Sequence, residues 1–281
     1  MSESVLSARN IVVDYPGHPP VRAVDSVSFD VHVGEVVGLV GESGCGKSTM
    51  ARVLTGLLKP HAGEVIYRGQ VLRPLGLGGR AADATGIQMV FQDPGSSLNP
   101  RRRIGPQIQD GLDAARRRLG EQTDSSRPTN PEEWLTRVGM DPLDAERYPR
   151  SFSGGQRQRI ATARALAAAP DVLIGDEPIS SLDASTQAMV AYVMSSLTVA
   201  QGAGMLFISH DLSVVRLIAD RLLVMYKGRI VERGPADQIW ADPRHPYTKA
   251  LLGAIPIPDG AQHMPTVTPP GTVYPLDEVI R

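Results

Sequence analysis

The stretch Gly41-Glu42-Ser43-Gly44-Cys45-Gly46-Lys47-Ser48-Thr49 fits the spacing G-x-x-x-x-G-K-[ST]. Glycines at these intervals let successive backbone N–H groups close around phosphate oxygens. A helix starting there adds the positive end of its dipole. Lys47 is then expected to reach the β- and γ-phosphates of a nucleotide, and Ser48 to bind Mg²⁺. The motif carries this meaning only between a strand and a helix. Both flanks fit: Val36-Val37-Gly38-Leu39-Val40 is a continuous apolar run, and a helix is expected from about Ser48 to Leu58, stopped by Lys59-Pro60. Cys45 reads as a loop residue whose backbone matters, not as a reactive thiol.

A second pattern is Val172-Leu173-Ile174-Gly175-Asp176-Glu177, an apolar strand ending in two acids. Ligands of parallel α/β sheets sit at the carboxyl ends of the strands. Beside a phosphate loop, Asp176 suits the Mg²⁺ shell, directly or through water, and Glu177 suits polarisation of an attacking water. A third pattern, Ser153-Gly154-Gly155-Gln156, opens a helix and offers bare amides to an anion. One nucleotide needs one phosphate loop. A second cradle about 110 residues on therefore points to the nucleotide of another molecule.

These residues need a scaffold, and the hydrophobic pattern supplies one. Residues 1–40 read as β-rich: Ile11–Tyr15 is a short strand, Val27–Val31 alternates, and Val36–Val40 is a buried strand. Gly63–Tyr67 and Gly86–Phe91 read as further strands, with an irregular loop over 73–86. From Asp93 to about Phe152 the texture is polar and helical with proline breaks. A helix is expected from about Gln156 to Ala168, then strands at Asp171–Gly175 and Met205–Ile208 with a helix between. Arg221–Met225 and Arg229–Glu232 read as a hairpin turned at Lys227-Gly228. The last 26 residues or so carry prolines and no periodicity. Alternating strands and helices argue a mostly parallel α/β sheet with an inserted helical lobe.

The chain has 281 residues, 42% of them hydrophobic, which is enough for a large core. With 29 basic against 30 acidic residues and a net charge of −1, no nucleic-acid partner is expected. Cys45 is the only cysteine, so no intramolecular disulfide can form. No secretory signal is visible at Met1-Ser2-Glu3-Ser4-Val5, and no apolar run approaches the roughly 20 residues of a spanning helix. Any membrane role is expected to come through a partner. Two arginine runs, Arg101-Arg102-Arg103 and Arg116-Arg117-Arg118, read either as a solvated helical face or as a contact for a membrane subunit or acidic lipid.

Taken in order, the phosphate loop, Gln92, Ser153-Gly154-Gly155-Gln156, Asp176-Glu177, Ser181-Leu182-Asp183 and His210 resemble an ATP-binding cassette (ABC) transporter ATPase, with the match running from about residue 5 to 255. The resemblance implies an α/β P-loop NTPase (RecA-like) core, a β-rich N-terminal subdomain, a helical subdomain inserted at about 93–160, and a C-terminal extension over 256–281. It implies ATP and Mg²⁺ as ligands and hydrolysis as the reaction. It also supplies roles. Tyr15 matches the aromatic that stacks on adenine. Gln92 matches the glutamine that touches Mg²⁺ and the attacking water. Ser153 and Gly155 match the signature that closes on the opposite subunit's γ-phosphate. Asp183 matches the loop that crosses the dimer interface, and His210 the switch histidine.

A narrower resemblance rests on Phe91-Gln92-Asp93-Pro94-Gly95-Ser96-Ser97-Leu98-Asn99-Pro100-Arg101 and on His245-Pro246-Tyr247-Thr248-Lys249-Ala250-Leu251-Leu252. Both are similar to oligopeptide, dipeptide and nickel importer ATPases. The implied partners are two membrane-spanning permease subunits, a second ATPase subunit and an extracytoplasmic substrate-binding protein, with this chain on the cytoplasmic face of the membrane. The alternative is a soluble cassette of the DNA-repair or translation type, which would carry a coiled coil or a second cassette. A pseudo-ATPase would need a broken phosphate loop, acidic pair or switch. Phe152 stands where the signature more often has Leu, and Ile179 and Ser181 stand where Thr and Ala are usual. A C-terminal iron–sulfur cysteine cluster, present in some relatives, is excluded by the single cysteine.

Overall fold

The computed structural model describes residues 4–75, 82–93, 97–120, 127–180, 182–255 and 272–280. Parts of several expectations lie outside these residues: Met1 to Glu3, the middle of the 73–86 loop, Pro94-Gly95-Ser96, Ser181 and the tail over 256–271.

The chain runs through β1 (Ser4–Tyr15), β2 (Val21–His32), β3 (Val36–Val40), α1 (Lys47–Leu54), β4 (Ala62–Tyr67), β5 (Gln70–Val71) and β6 (Ile87–Val90). Helices α2 (Ile104–Leu119) and α3 (Pro131–Arg137) and short 3₁₀ turns follow, then α4 (Gly154–Ala167), β7 (Val172–Asp176), α5 (Ala184–Ala200) and β8 (Gly204–Ser209). The chain continues through α6 (Leu212–Ile218), β9 (Arg221–Tyr226), β10 (Arg229–Pro235), α7 (Ala236–Ala241), α8 (Pro246–Gly253) and β11 (Val279–Ile280).

Two sheets result. An antiparallel sheet has the order β2-β1-β4-β5, and a larger sheet the order β11-β10-β9-β3-β8-β7-β6. In the larger one β9, β3, β8, β7 and β6 are mutually parallel. Its central strands are apolar on both faces because both are covered. Val37 and Leu39 of β3 face one core with Met50 and Leu54 of α1 and the inner face of the small sheet. Val36 and Val40 face a second core that holds Trp134, Leu135, Ile104 and Ile108 of the helical stretch. In β2 the expected alternation is present: Val27, Phe29 and Val31 are buried while Ser28, Asp30 and His32 are less so.

The structure corrects several limits. β1 and β2 are much longer than the strands expected there. α1 ends at Leu54, not Leu58. Thr55 turns its hydroxyl back onto the Ala51 carbonyl, and Gly56 follows at φ +71° with its N–H on the Val53 carbonyl. A left-handed glycine after the last helical turn ends a helix locally, before any proline is reached. At the C-terminus, Val279–Ile280 pairs in parallel with Glu232 and Arg233 of β10, giving the end of the extension a place at the edge of the main sheet.

Candidate active site

Strand order brings the predicted residues together. β3, β8, β7 and β6 lie side by side and parallel, so their carboxyl ends share one edge. The phosphate loop leaves β3, His210 follows β8, Asp176-Glu177 ends β7, and Gln92 follows β6. Val40 pairs with Ser209, Ile208 with Asp176, and Gly175 with Val90. This is the crevice in which open α/β sheets bind ligands.

The loop is tightly held. Gly46 sits at φ +114°, where a Cβ would overlap the carbonyl of Ala23. From the β9–β10 turn, the Gly228 N–H donates to the Cys45 carbonyl at 2.9 Å. Lys47, 3% exposed, opens α1 and donates to the carbonyls of Gly41 (2.7 Å) and Glu42 (2.9 Å). Burial pushes the Cys45 thiol above its ordinary value, which fits an unreactive loop residue.

Around Lys47 the polar groups converge. Its Nζ lies 3.7 Å from Glu177 Oε1. Glu177 Oε2 lies 3.2 Å from His210 Nδ1 and 3.5 Å from Gln92 Nε2. Glu177 itself stands at φ +47°, a region non-glycine residues rarely enter, with its N–H held by the Ile208 carbonyl at 3.0 Å. The Ser48 hydroxyl donates to Asp176 Oδ1 at 2.8 Å. Burial raises the Asp176 carboxyl above its ordinary value and the adjacent Glu177 adds to this, against the Ser48 hydrogen bond. Two hard oxygens so placed suit Mg²⁺, which takes few protein ligands and completes its shell from phosphate and water. Among the described residues no cluster of three or more His, Cys, Asp and Glu side chains offers another metal site.

The other predicted residues lie apart from this cluster. Tyr15, at the end of β1, places its hydroxyl 3.3 Å from Thr49 Oγ1, beside the loop. Ser153 caps α4 in a reciprocal box: its hydroxyl accepts from the Gln156 N–H at 3.3 Å, and Gln156 Oε1 accepts from the Ser153 N–H at 2.9 Å. Gly155 lies against Thr186 and Gly154 against Leu182, both close to the start of α5. Asp183 caps α5, accepting from Thr186 N–H and the Ser185 hydroxyl. Among the described residues no hydrogen bond or ion pair links Ser153–Gln156 or Asp183 to the phosphate loop.

Two residues brace the loop in ways that no local pattern shows. Gly228 reads in sequence only as a hairpin turn. Tyr247, inside the His245-Pro246-Tyr247 stretch, reads only as a mark of resemblance. Its hydroxyl accepts the Glu42 N–H at 2.9 Å. Four of the six arginines in the two runs form ion pairs. Arg102 pairs with Asp110, Arg103 with Glu146 and Arg116 with Asp113, all at the surface. Arg118 turns inward onto Asp171.

The ABC transporter family model matches residues 24–180, and the model of the oligopeptide/dipeptide transporter C-terminal region matches residues 231–280. A dimeric ATP-binding cassette in a post-hydrolysis state, bound to ADP and Pi, has the same fold: TM-score 0.67, 26% identity, 82% of this chain and 98% of that one covered. The chain belongs to the ABC transporter family and is an ATP-binding, ATP-hydrolysing subunit with an α/β P-loop fold. Within that family it is similar to the oligopeptide transport ATP-binding protein of Bacillus subtilis, 48% identical over 85% of this chain and 78% of that protein. It is also 44% identical to the di/tripeptide transport ATP-binding protein of Pseudomonas aeruginosa, over 90% of this chain and 80% of that protein. A soluble cassette uncoupled from transport finds no support in these likenesses. Among the described residues no helix is long and apolar enough to cross a membrane.

Proposed function

We propose that this chain powers the import of peptides, or of a related small solute, as one of two ATPase subunits docked on the cytoplasmic side of two membrane-spanning permeases. An extracytoplasmic binding protein would deliver the solute. The observation that carries the catalytic reading is the convergence of Lys47, Asp176, Glu177, Gln92 and His210 at the carboxyl edge of four adjacent parallel strands. The peptide reading is supported by the C-terminal region and by the two transport relatives.

In this reading the backbone amides from Ser43 to Thr49 cradle the phosphates and Tyr15 stacks on adenine. Lys47 offsets charge on the β- and γ-phosphates. Ser48, Asp176 and Gln92 would hold Mg²⁺; the ion, when bound, would supply charge neutralisation on the phosphate oxygens. Glu177 polarises the attacking water, while Gln92 and His210 orient around it. Such catalysis is chiefly positioning and electrostatics. Ser153, Gly154, Gly155, Gln156 and Asp183 serve the site of the opposite subunit. Their separation from the chain's own loop supports that assignment. The division into a cassette over 1–255, with its helical insertion at about 93–160, and an extension over 256–281 belongs to the same reading.

The test is isolation of the complex from membranes and its reconstitution in vesicles. ATP-dependent uptake of a mixed di- to pentapeptide pool is expected, with none for Lys47→Ala. Recovery without any membrane-spanning subunit would overturn the transport reading.

A further inference from the structure

Tyr247 is 1% exposed, at the first turn of α8. Its ring packs on Tyr226 with centroids 4.4 Å apart, and Tyr274 closes edge-on at 5.4 Å. The backbone that presents it is fixed from below. His245 Nδ1 accepts the Tyr247 N–H at 3.1 Å, and the N–H groups of Arg244 and His245 both donate to the buried Glu232 carboxylate at 3.0 Å. Burial raises the phenol above its ordinary value, so it stays a neutral hydroxyl.

A phenylalanine would fill this packing equally well. The hydroxyl therefore has a separate purpose, and its partner in the structure is the Glu42 N–H of the phosphate loop. The neighbouring carbonyls, of Gly41 and Glu42, are those that hold Lys47 Nζ. One hydrogen bond, between residues 205 positions apart, thus fixes the peptide that carries the lysine's own anchor. Tyr247 also lies outside residues 24–180 and within residues 231–280, so the bond comes from the stretch that matches the oligopeptide/dipeptide transporter C-terminal region.

We propose that Tyr247 is a positioning residue for the phosphate loop, its hydroxyl holding the Glu42 amide so that the loop is preset for the nucleotide phosphates. This rests on the reading of residues 41–49 as the nucleotide's loop.

The test uses the full-length chain with Mg²⁺ and a fluorescent N-methylanthraniloyl ATP. Tyr247→Phe is expected to weaken binding about fivefold, the size of one net hydrogen bond, and to raise KM for ATP with kcat little changed. Tyr226→Phe is the control. It removes the hydroxyl that accepts the Tyr274 N–H at 3.3 Å, a bond in the same aromatic group that does not touch the loop. It is expected to lower Tm to a similar degree while leaving nucleotide affinity unchanged. Equal affinity in wild type and Tyr247→Phe would overturn the positioning role and leave the nucleotide reading intact. So would a loss of affinity in both variants that simply follows Tm. Wild-type protein that bound the probe no better than Lys47→Ala would overturn both.

Discussion

Nδ1 of His210 lies 3.2 Å from Oε2 of Glu177, across the seam between β8 and β7. The backbone is bent to make this meeting: Glu177 stands at positive φ and ties its N–H to Ile208, two residues before His210. A non-glycine residue held in so sparse a region marks a place where geometry is kept for use. Glu177→Gln is therefore expected to keep the fold and the nucleotide site. Its kcat is expected to fall by about 10²–10⁴, the usual worth of a general base, and ATP-bound dimers to accumulate. Steady-state ATPase rates and light scattering with ATP would show both. Turnover at the wild-type rate would remove Glu177 from this role.

Gly46 and Gly44 separate close approach from backbone strain. A methyl group on Gly46 runs into the Ala23 carbonyl, whereas one on Gly44 meets open space at φ +81°. Gly44→Ala is expected to cost about 1–2 kcal/mol of left-handed strain and to lose less nucleotide affinity than Gly46→Ala. Gly46→Ala is expected to lose binding, because the loop or β2 must shift. Titration with a fluorescent ATP analogue ranks the two; equal behaviour would contradict this packing.

The hydrogen bonds from Ser185 and Thr186 hold the Asp183 carboxyl at about 2, below its ordinary 3.8. The unfolded chain then takes up its proton before the folded one does. The stabilisation is complete above the unfolded value and is lost as pH falls from there towards the folded one. Asp183→Ala is expected to lower Tm at pH 7, with the gap from wild type closing through that acid window. Asp183→Asn, which keeps a capping oxygen, is expected to lose less. Thermal melts of the three proteins across pH would test the sign.

Arg118 and Arg117 stand side by side in sequence and differ in place. Arg118, 5% exposed at its side chain, pairs with Asp171 at 2.8 Å and also donates to the Ala169 carbonyl. The Tyr67 hydroxyl donates to the same carboxylate. Arg118→Ala is expected to cost about 3 kcal/mol, the low end for breaking a buried pair, since Arg68 still faces Asp171. Arg117→Ala, at an exposed position, is expected to change stability by less than about 0.5 kcal/mol. Urea denaturation distinguishes the two.

Legibility followed distance along the chain. β3 and the loop after it could be read because every signal lies within fourteen residues: an apolar run, three glycines and a lysine. The Ser153 cap was visible for the same reason, though the helix begins two residues earlier than its alanines suggested. α1 is shorter than Lys59-Pro60 predicts, because Gly56 supplies a local stop first. The pairing of Val279–Ile280 had no local signature, since a two-residue strand is defined by its partner on β10. The Tyr247–Glu42 bond was hidden likewise, because no local pattern announces an amide 205 residues away.

The order of the larger sheet constrains synthesis as well as catalysis. β8 fills the slot between β3 and β7, yet it is made after both. A growing chain that has completed its phosphate loop and its acidic pair still lacks the strand that joins them. Competence thus arrives late and all at once, and a nascent chain halted before Gly204 is expected to bind no ATP however well its earlier segments fold, which ribosome-arrested lengths probed with a nucleotide analogue would reveal.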